Sequence, residues 1–243
     1  MAAAASDAAL NEELALALLQ RRDIPSDVLA RLSKNGRALA SRKVKLALIE
    51  HPRAPRHVAI PLLRHLFTFD LMRVALAPAV PADVKVVADE TLINRLETIP
   101  SGERLALAKR GSGRIAAELL LDPEPRVVQT ALANPRLTEP AVIRALTQSK
   151  TPTALVEAVC HKSGWSVRRE VRIALLRNAE TPLAHALESA RSIPSIQLAE
   201  ILHSSRLPEN VKCCLLRDSV ERSAAAARAG QNSTSRKPAQ SEI

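Results

Sequence analysis

A chain of 243 residues with 47% hydrophobic content can be one large domain or two small ones, and has ample material for a core. An aromatic share of 1%, with no tyrosine, leaves that core to Leu, Ala, Val and Ile, which suits close helix–helix packing. The formal charge of +10 raises the standing of acidic partners without bearing on fold, and three cysteines with no CxxC pair (Cys160, Cys213, Cys214) exclude a disulfide framework and read as reduced, small apolar side chains.

The opening run MAAAASDAALNEELALALLQRR has no basic segment, and Asp7, Glu12 and Glu13 interrupt it. No signal peptide is expected, and no stretch reaches the roughly 18 apolar residues of a membrane span, so a cytoplasmic location is the expectation. Residues 1–10 read as a flexible leader. Asn11 can cap a first helix with Leu14, Leu18 and Leu19 inward. Asp23-Ile24-Pro25 breaks it, and Val28, Leu29 and Leu32 form the next. Ser41 to Glu50 is a further helix ended by His51-Pro52. Pro55 restarts the chain with Val58, Leu62 and Leu63 inward.

The clearest stretch is Asp122 to Leu146. Asp122-Pro123 opens a helix there, because Asp caps and a first-turn proline has no needed N–H to lose. Val127, Val128, Ala131 and Leu132 make one apolar stripe. Asn134-Pro135 stops the helix, since the residue before a proline is pushed out of the α region. Pro140 starts a partner helix with Val142, Ile143 and Leu146 on one face. A two-helix unit this short cannot bury its faces alone and implies stacked copies.

The same grammar recurs at 46–55, 74–81, 130–140, 173–182 and 198–208: an Ala-centred helix end, a polar break, and a proline that restarts the chain. Restarts fall at 25, 55, 81, 113, 140, 182 and 208, the one long gap holding an extra helix, TPTALVEAVC, and the loop HKSGWS. Trp165 is expected to cover the end of that extra helix against the next one. A single ungapped shift lays 42–60 on 169–187 and 71–85 on 198–212, with Arg42/Arg169, Val44/Val171, Pro55/Pro182, Leu71/Leu198 and Pro81/Pro208 identical. The expected fold is all-α, an α–α superhelix of roughly seven helix-pair units in one right-handed solenoid domain over 11–222, with an internal duplication of 42–85 in 169–212. Residues 223–243 have no apolar stripe and read as a disordered tail.

The Asp122–Val142 stretch, together with the similar phrase at Ala174–Pro182, resembles the short HEAT-like and leucine-rich-repeat-variant solenoids of bacteria, over roughly 11–222. That resemblance implies an armadillo-type helical fold and no particular activity. The chain departs from a regular array at 99–121, where glycines replace prolines, and at 148–166, where a helix is inserted. The cysteine-rich metal-cluster segment that some repeat-variant proteins carry has no counterpart here.

Little catalytic chemistry is legible. Gly111-Ser112-Gly113-Arg114-Ile115-Ala116 fits a dinucleotide fingerprint in letters, but that loop needs a preceding strand, and ERLALAK before it is a helix former, so it reads as a joint between repeats. The histidines show no metal spacing, and no nucleophile signature stands out. No cofactor, metal or catalytic residue is expected, and the chain is read as a non-enzyme. The basic residues carry the remaining signal. Arg168, Arg169, Arg172 and Arg177 lie on one segment, while Arg42, Lys43 and Lys45 occupy the duplicated place, followed by Arg53, Arg56, His57 and Arg64. Arg42, Lys43, Lys45, Arg168, Arg169 and Arg172 are the candidate site for an acidic partner; the alternative is a solvated face, or arginines that bridge repeats to acids such as Glu170. The functional expectation is a scaffold for another protein. Binding to a nucleic-acid backbone through charge is the rival, though scarce aromatics argue against single-strand stacking.

Overall fold

The computed structural model describes residues 10–234. The fold is all-α: among the described residues there are seventeen α-helices, two short 3-10 turns and no strand. No helix among them is long and apolar enough to cross a membrane. Of the expected leader only Leu10 is described, and it is buried.

The helices begin where the punctuation puts them, at 26, 56, 82, 113, 139, 183 and 209, each within one residue of a predicted restart. The physical role of the proline is mostly to precede the helix. Pro25, Pro55, Pro81, Pro152 and Pro182 are the N-cap residues, with φ from −65° to −57° and ψ from 133° to 147°. A ring locked in that extended entry leads the chain into αR at little entropic cost. The stretch opened at Asp122-Pro123 differs: the helix starts at Pro125, and Asp122 instead forms a turn in which its Oδ1 accepts the Glu124 N–H at 2.9 Å.

Contacts divide the chain expected as one domain over 11–222 into two compact units. One runs to Leu119 and takes in Ala133–Leu137; the other holds Leu120–Leu132 and the chain from Thr138. The first unit contains α1 (Glu12–Leu19), α2 (Ser26–Leu32), α3 (Gly36–Ala40), α4 (Arg42–Glu50), α5 (Arg56–Leu63), α6 (Thr68–Leu76), α7 (Ala82–Ile93), α8 (Ser101–Arg110) and α9 (Gly113–Glu118). α1, α4 and α6 lie side by side; α4 packs on α5, α6 on α7, and α9 on α7. The second unit contains α10 (Pro125–Ala131), α11 (Glu139–Thr147), α12 (Thr153–His161), α13 (Ser163–Ser166), α14 (Arg169–Arg177), α15 (Leu183–Arg191), α16 (Ser195–His203) and α17 (Glu209–Thr234). α11, α14 and α16 form one layer, and α10 packs on α12, α14 on α15, and α15 and α16 on α17.

The duplication is longer than identities reveal. Helices start at 12, 26, 36, 42, 56, 68 and 82 in the first unit and at 139, 153, 163, 169, 183, 195 and 209 in the second, so that one constant offset relates all seven pairs. Burial keeps the same register: Val28 and Leu155, Leu48 and Leu175, Ala59 and Ala186, Leu71 and Leu198, Ala88 and Leu215 are all at most 5% exposed. The helix at 153–161 is therefore no insertion, because α12 and α13 repeat α2 and α3. Identity is too thin there to show it: Ala38, for example, stands where Trp165 fills the equivalent core position, at 0% and 7% exposure. α8 and α9, at the glycine-bearing stretch, lie between the two blocks in the chain.

Two local expectations change. Leu14 is 57% exposed and Leu18 only half-buried, while Leu19 is inward as expected, with Ala15 taking the other inward place on α1, which packs against α4. The tail expected from residue 223 is helical through Thr234 as the end of α17, and Ala224 to Ala227 are strong helix formers that favour this continuation. The rest of that tail lies outside the described residues.

Candidate interaction surface

The candidate basic residues sit at helix N-termini, and most reach across to a neighbouring helix. Arg42, first in α4, donates from Nε and Nη2 to Asp70 of α6 at 2.6 and 2.7 Å, with its guanidinium 5.0 Å over the Phe67 ring. Asp70 is 5% exposed, so this bidentate pair neutralises a buried carboxylate. Lys43 pairs with Glu12 of α1 at 3.4 Å. Lys45 is half-buried along α4. Arg168 pairs with Glu139 of α11 at 2.9 Å, donates to the Gly164 carbonyl and lies 4.4 Å over Trp165. Arg169 meets Glu170 at 3.0 Å and donates to Gln197 of α16 at 2.8 Å. Arg172 donates to the Ser166 carbonyl at 2.8 Å.

The contacts of Arg42 with Asp70, Lys43 with Glu12, Arg168 with Glu139 and Arg169 with Gln197 are braces within a layer. Arg42 to Asp70 and Arg169 to Gln197 are the same brace, one in each block. Glu12 and Glu139 are likewise equivalent, yet one takes its cation from Lys43 and the other from Arg168, positions that do not correspond. The brace outlasts the residue that makes it, as expected when inter-helix geometry is shared. Arg56 is paired in the same way with Asp83 at 2.8 Å, and Arg53 donates to the Asp23 carbonyl at 3.0 Å.

A second set of polar residues, invisible to composition, clasps successive turns of chain. Asn178 is 2% exposed; its Nδ2 donates to the Leu146 carbonyl at 2.6 Å and its Oδ1 accepts the Glu180 N–H at 2.9 Å. Asn134 donates to the Ala108 and Gly111 carbonyls and accepts from the Arg136 N–H. His51, equivalent to Asn178, does the same with a ring: Nδ1 accepts the Arg53 N–H at 3.2 Å while Nε2 lies 2.9 Å from the Arg21 carbonyl, which requires the Nε2–H tautomer. Ser205 donates to the Leu176 carbonyl at 2.5 Å and accepts the Leu207 N–H. Each carbonyl reached lies 23 to 32 residues upstream, at or just past the end of an earlier helix, where carbonyls lack intrahelical partners. Their signal in the sequence is a polar residue just past each helix end. Trp165 serves similarly, donating its indole N–H to the Leu132 carbonyl at 2.9 Å.

The Gly111-Ser112-Gly113 loop follows helix α8, which removes the dinucleotide reading. Ser112 Oγ accepts the Ile115 N–H as cap of α9 and donates to Asp89 at 2.8 Å. Gly113 has an ordinary φ, and what requires glycine is the close approach of the Arg136 carbonyl, into which a Cβ would run.

The features open to a partner include the following two. The first is apolar. Phe67 (65% exposed) and Phe69 (40%) start α6, and Ile196 (80%) starts α16, with Phe69 and Ile196 at equivalent positions. Val167, just before α14, is 61% exposed. Each stands beside a brace, Phe67 under Arg42 and Ile196 next to Gln197. The second is an open cavity of about 370 Å³ between α10 and α12, lined by Pro125, Gln129, Glu157, Ala158, His161 and Lys162 among others. Its chemistry is poor. Cys160 nearby is buried, and desolvation, then Glu188 and Glu157, push its thiol up to about 11. Desolvation also lowers Lys162. No group of three or more His, Cys, Asp or Glu among the described residues could hold a metal ion.

No family model matches the chain, and neither curated proteins nor solved structures give a significant match.

Proposed function

We propose that the chain is a non-catalytic helical-repeat scaffold of the HEAT-like, leucine-rich-repeat-variant kind, acting in the cytoplasm, and that it binds another protein through the exposed apolar residues at the starts of its layer helices. The observation that carries this reading is the recurrent exposed apolar position, Phe69 in one block and Ile196 in the other, with Phe67 and Val167 nearby. Large apolar side chains held in solvent beside arginines are the material of protein hot spots. The rival, a nucleic-acid backbone held by charge, is weakened because five of the six candidate cations are bonded to neighbouring groups. The test is affinity capture from the native host, with and without nuclease, using wild type and Phe69→Asp/Ile196→Asp. A partner retained after nuclease and lost with the variant supports the reading. Capture abolished by nuclease and indifferent to the variant would hand it to the rival.

A further inference from the structure

The second unit ends on a helix with two apolar faces. α17 buries Leu215 and Ser219 and packs against α15 and α16. Leu216 (40% exposed) and Val220 (67%), with exposed Cys213 before them, form another stripe at i, i+3, i+7 that faces solvent. A helix apolar on two sides calls for a neighbour on each. The internal duplication shows what kind of neighbour. Leu216 and Arg217 are the equivalents of Asp89 and Glu90 of α7, and there the middle of the stripe is covered, while Val86, the equivalent of Cys213, stays 37% exposed: Ser112 donates to Asp89 at 2.8 Å, Arg114 pairs with Glu90 at 3.3 Å, and α9 packs on α7. Asp89 is 5% exposed as a result. Among the described residues α17 has no such cover, and the charge at the key position is reversed. The missing cover is a helix bringing an acid to Arg217 where α9 brings Arg114 to Glu90.

The first helix of the array fits that description. α1 packs one face on α4 and leaves Leu14 (57%) and Ala17 exposed, with Leu18 half-buried and the exposed acid Glu13 in its first turn. Repeat arrays normally end on polar caps; here the first and last described helices both expose apolar residues, one with an acid beside them and the other with a base. We infer that the protein self-associates head to tail, the α1 face of one copy covering the α17 face of the next, with Glu13 set against Arg217. The two patches differ, so the contact is heterologous, and each added copy leaves one head and one tail for further growth or ring closure.

Sedimentation velocity across a wide range of concentration tests this, with circular dichroism to confirm folding. Wild type is expected to gain mass beyond one chain as concentration rises. Leu14→Asp blocks the head and Leu216→Asp/Val220→Asp blocks the tail, and each alone is expected to be monomeric. Their equimolar mixture retains one intact head and one intact tail, and is expected to form a 1:1 pair and nothing larger. Glu13→Arg and Arg217→Glu should each weaken association and, combined in one chain, restore it; this series decides the matter if an Asp variant misfolds. A wild type that stays monomeric throughout, a Leu14→Asp chain that associates as wild type does, or a mixture that remains monomeric overturns the proposal.

Discussion

Asn178 shows how much one buried amide can hold. Removing it leaves the Glu180 N–H without its partner and the Leu146 carbonyl with only a shared Thr151 hydroxyl at 3.2 Å. Asn178→Ala is expected to cost about 1–3 kcal/mol in urea denaturation, the range for orphaned buried groups. Asn178→His should be tolerated better, since His51 fills the equivalent place with the same two contacts; equal losses for both variants would remove the clasp as the cause. Cysteine chemistry gives a second test at this scale. The Cys160 thiol, pushed up to about 11, stays protonated at neutral pH, whereas Cys213 is exposed. Iodoacetamide should label Cys213 in the native protein and Cys160 only after unfolding. Native labelling of Cys160 at a comparable rate would contradict the burial.

Between helices, the packing register and the α7–α9 joint are the measurable features. Leu175 is 1% exposed and Leu48, its equivalent, 0%. Leu175→Ala and Leu48→Ala should each cost about 2–5 kcal/mol, and Leu14→Ala, at an exposed site, no more than about 0.5 kcal/mol. At the joint, burial raises the Asp89 pKa, opposed by the Ser112 hydrogen bond and the Arg114 charge. A carboxyl whose folded pKa lies above its unfolded value of about 3.9 is ionised at a cost, so its contribution to stability falls as pH rises through that window. Asp89→Asn keeps an acceptor for Ser112 and removes the cost. It should match or exceed wild-type stability at neutral pH, with the advantage fading as pH is lowered through the carboxyl range. A variant less stable at neutral pH than wild type would show that the charge itself is needed there, through Arg114.

For the molecule as a whole, a net charge of +10 suggests a polyanion partner, yet the arginines at the duplicated sites have a structural use. Arg42, Arg168 and Arg169 each hold two neighbouring helices together, and Arg42 also neutralises a buried acid. In a fluorescence titration with a mixed-sequence duplex at two salt concentrations, Arg169→Ala/Arg172→Ala is expected to leave both affinity and salt slope unchanged. A slope reduced by about 0.9 for each lost cation would make them phosphate contacts instead. The same substitutions should lower thermal stability slightly, because exposed pairs contribute at most about 1 kcal/mol each.

The amino-acid order alone is enough to show that this chain is helical, where most helices begin, and that one stretch copies another. Those properties are local: a proline fixes its own φ, alanine and leucine favour their own helices, and a core stripe repeats every 3.6 residues. It also placed the arginines at matching sites, though not their use. Other features involve partners distant along the chain and emerge only on folding. The true length of the duplication rests on burial register, which survives where identity does not, as at Ala38 and Trp165. The clasps of His51, Asn134, Asn178 and Ser205 depend on carbonyls 23 to 32 residues away. Leu14 has the letters of a core residue, and its exposure follows from which face of α1 meets α4. Charge is the clearest case, because the same arginine is a ligand site in solvent and a brace beside Asp70, and only folding brings that carboxylate to it.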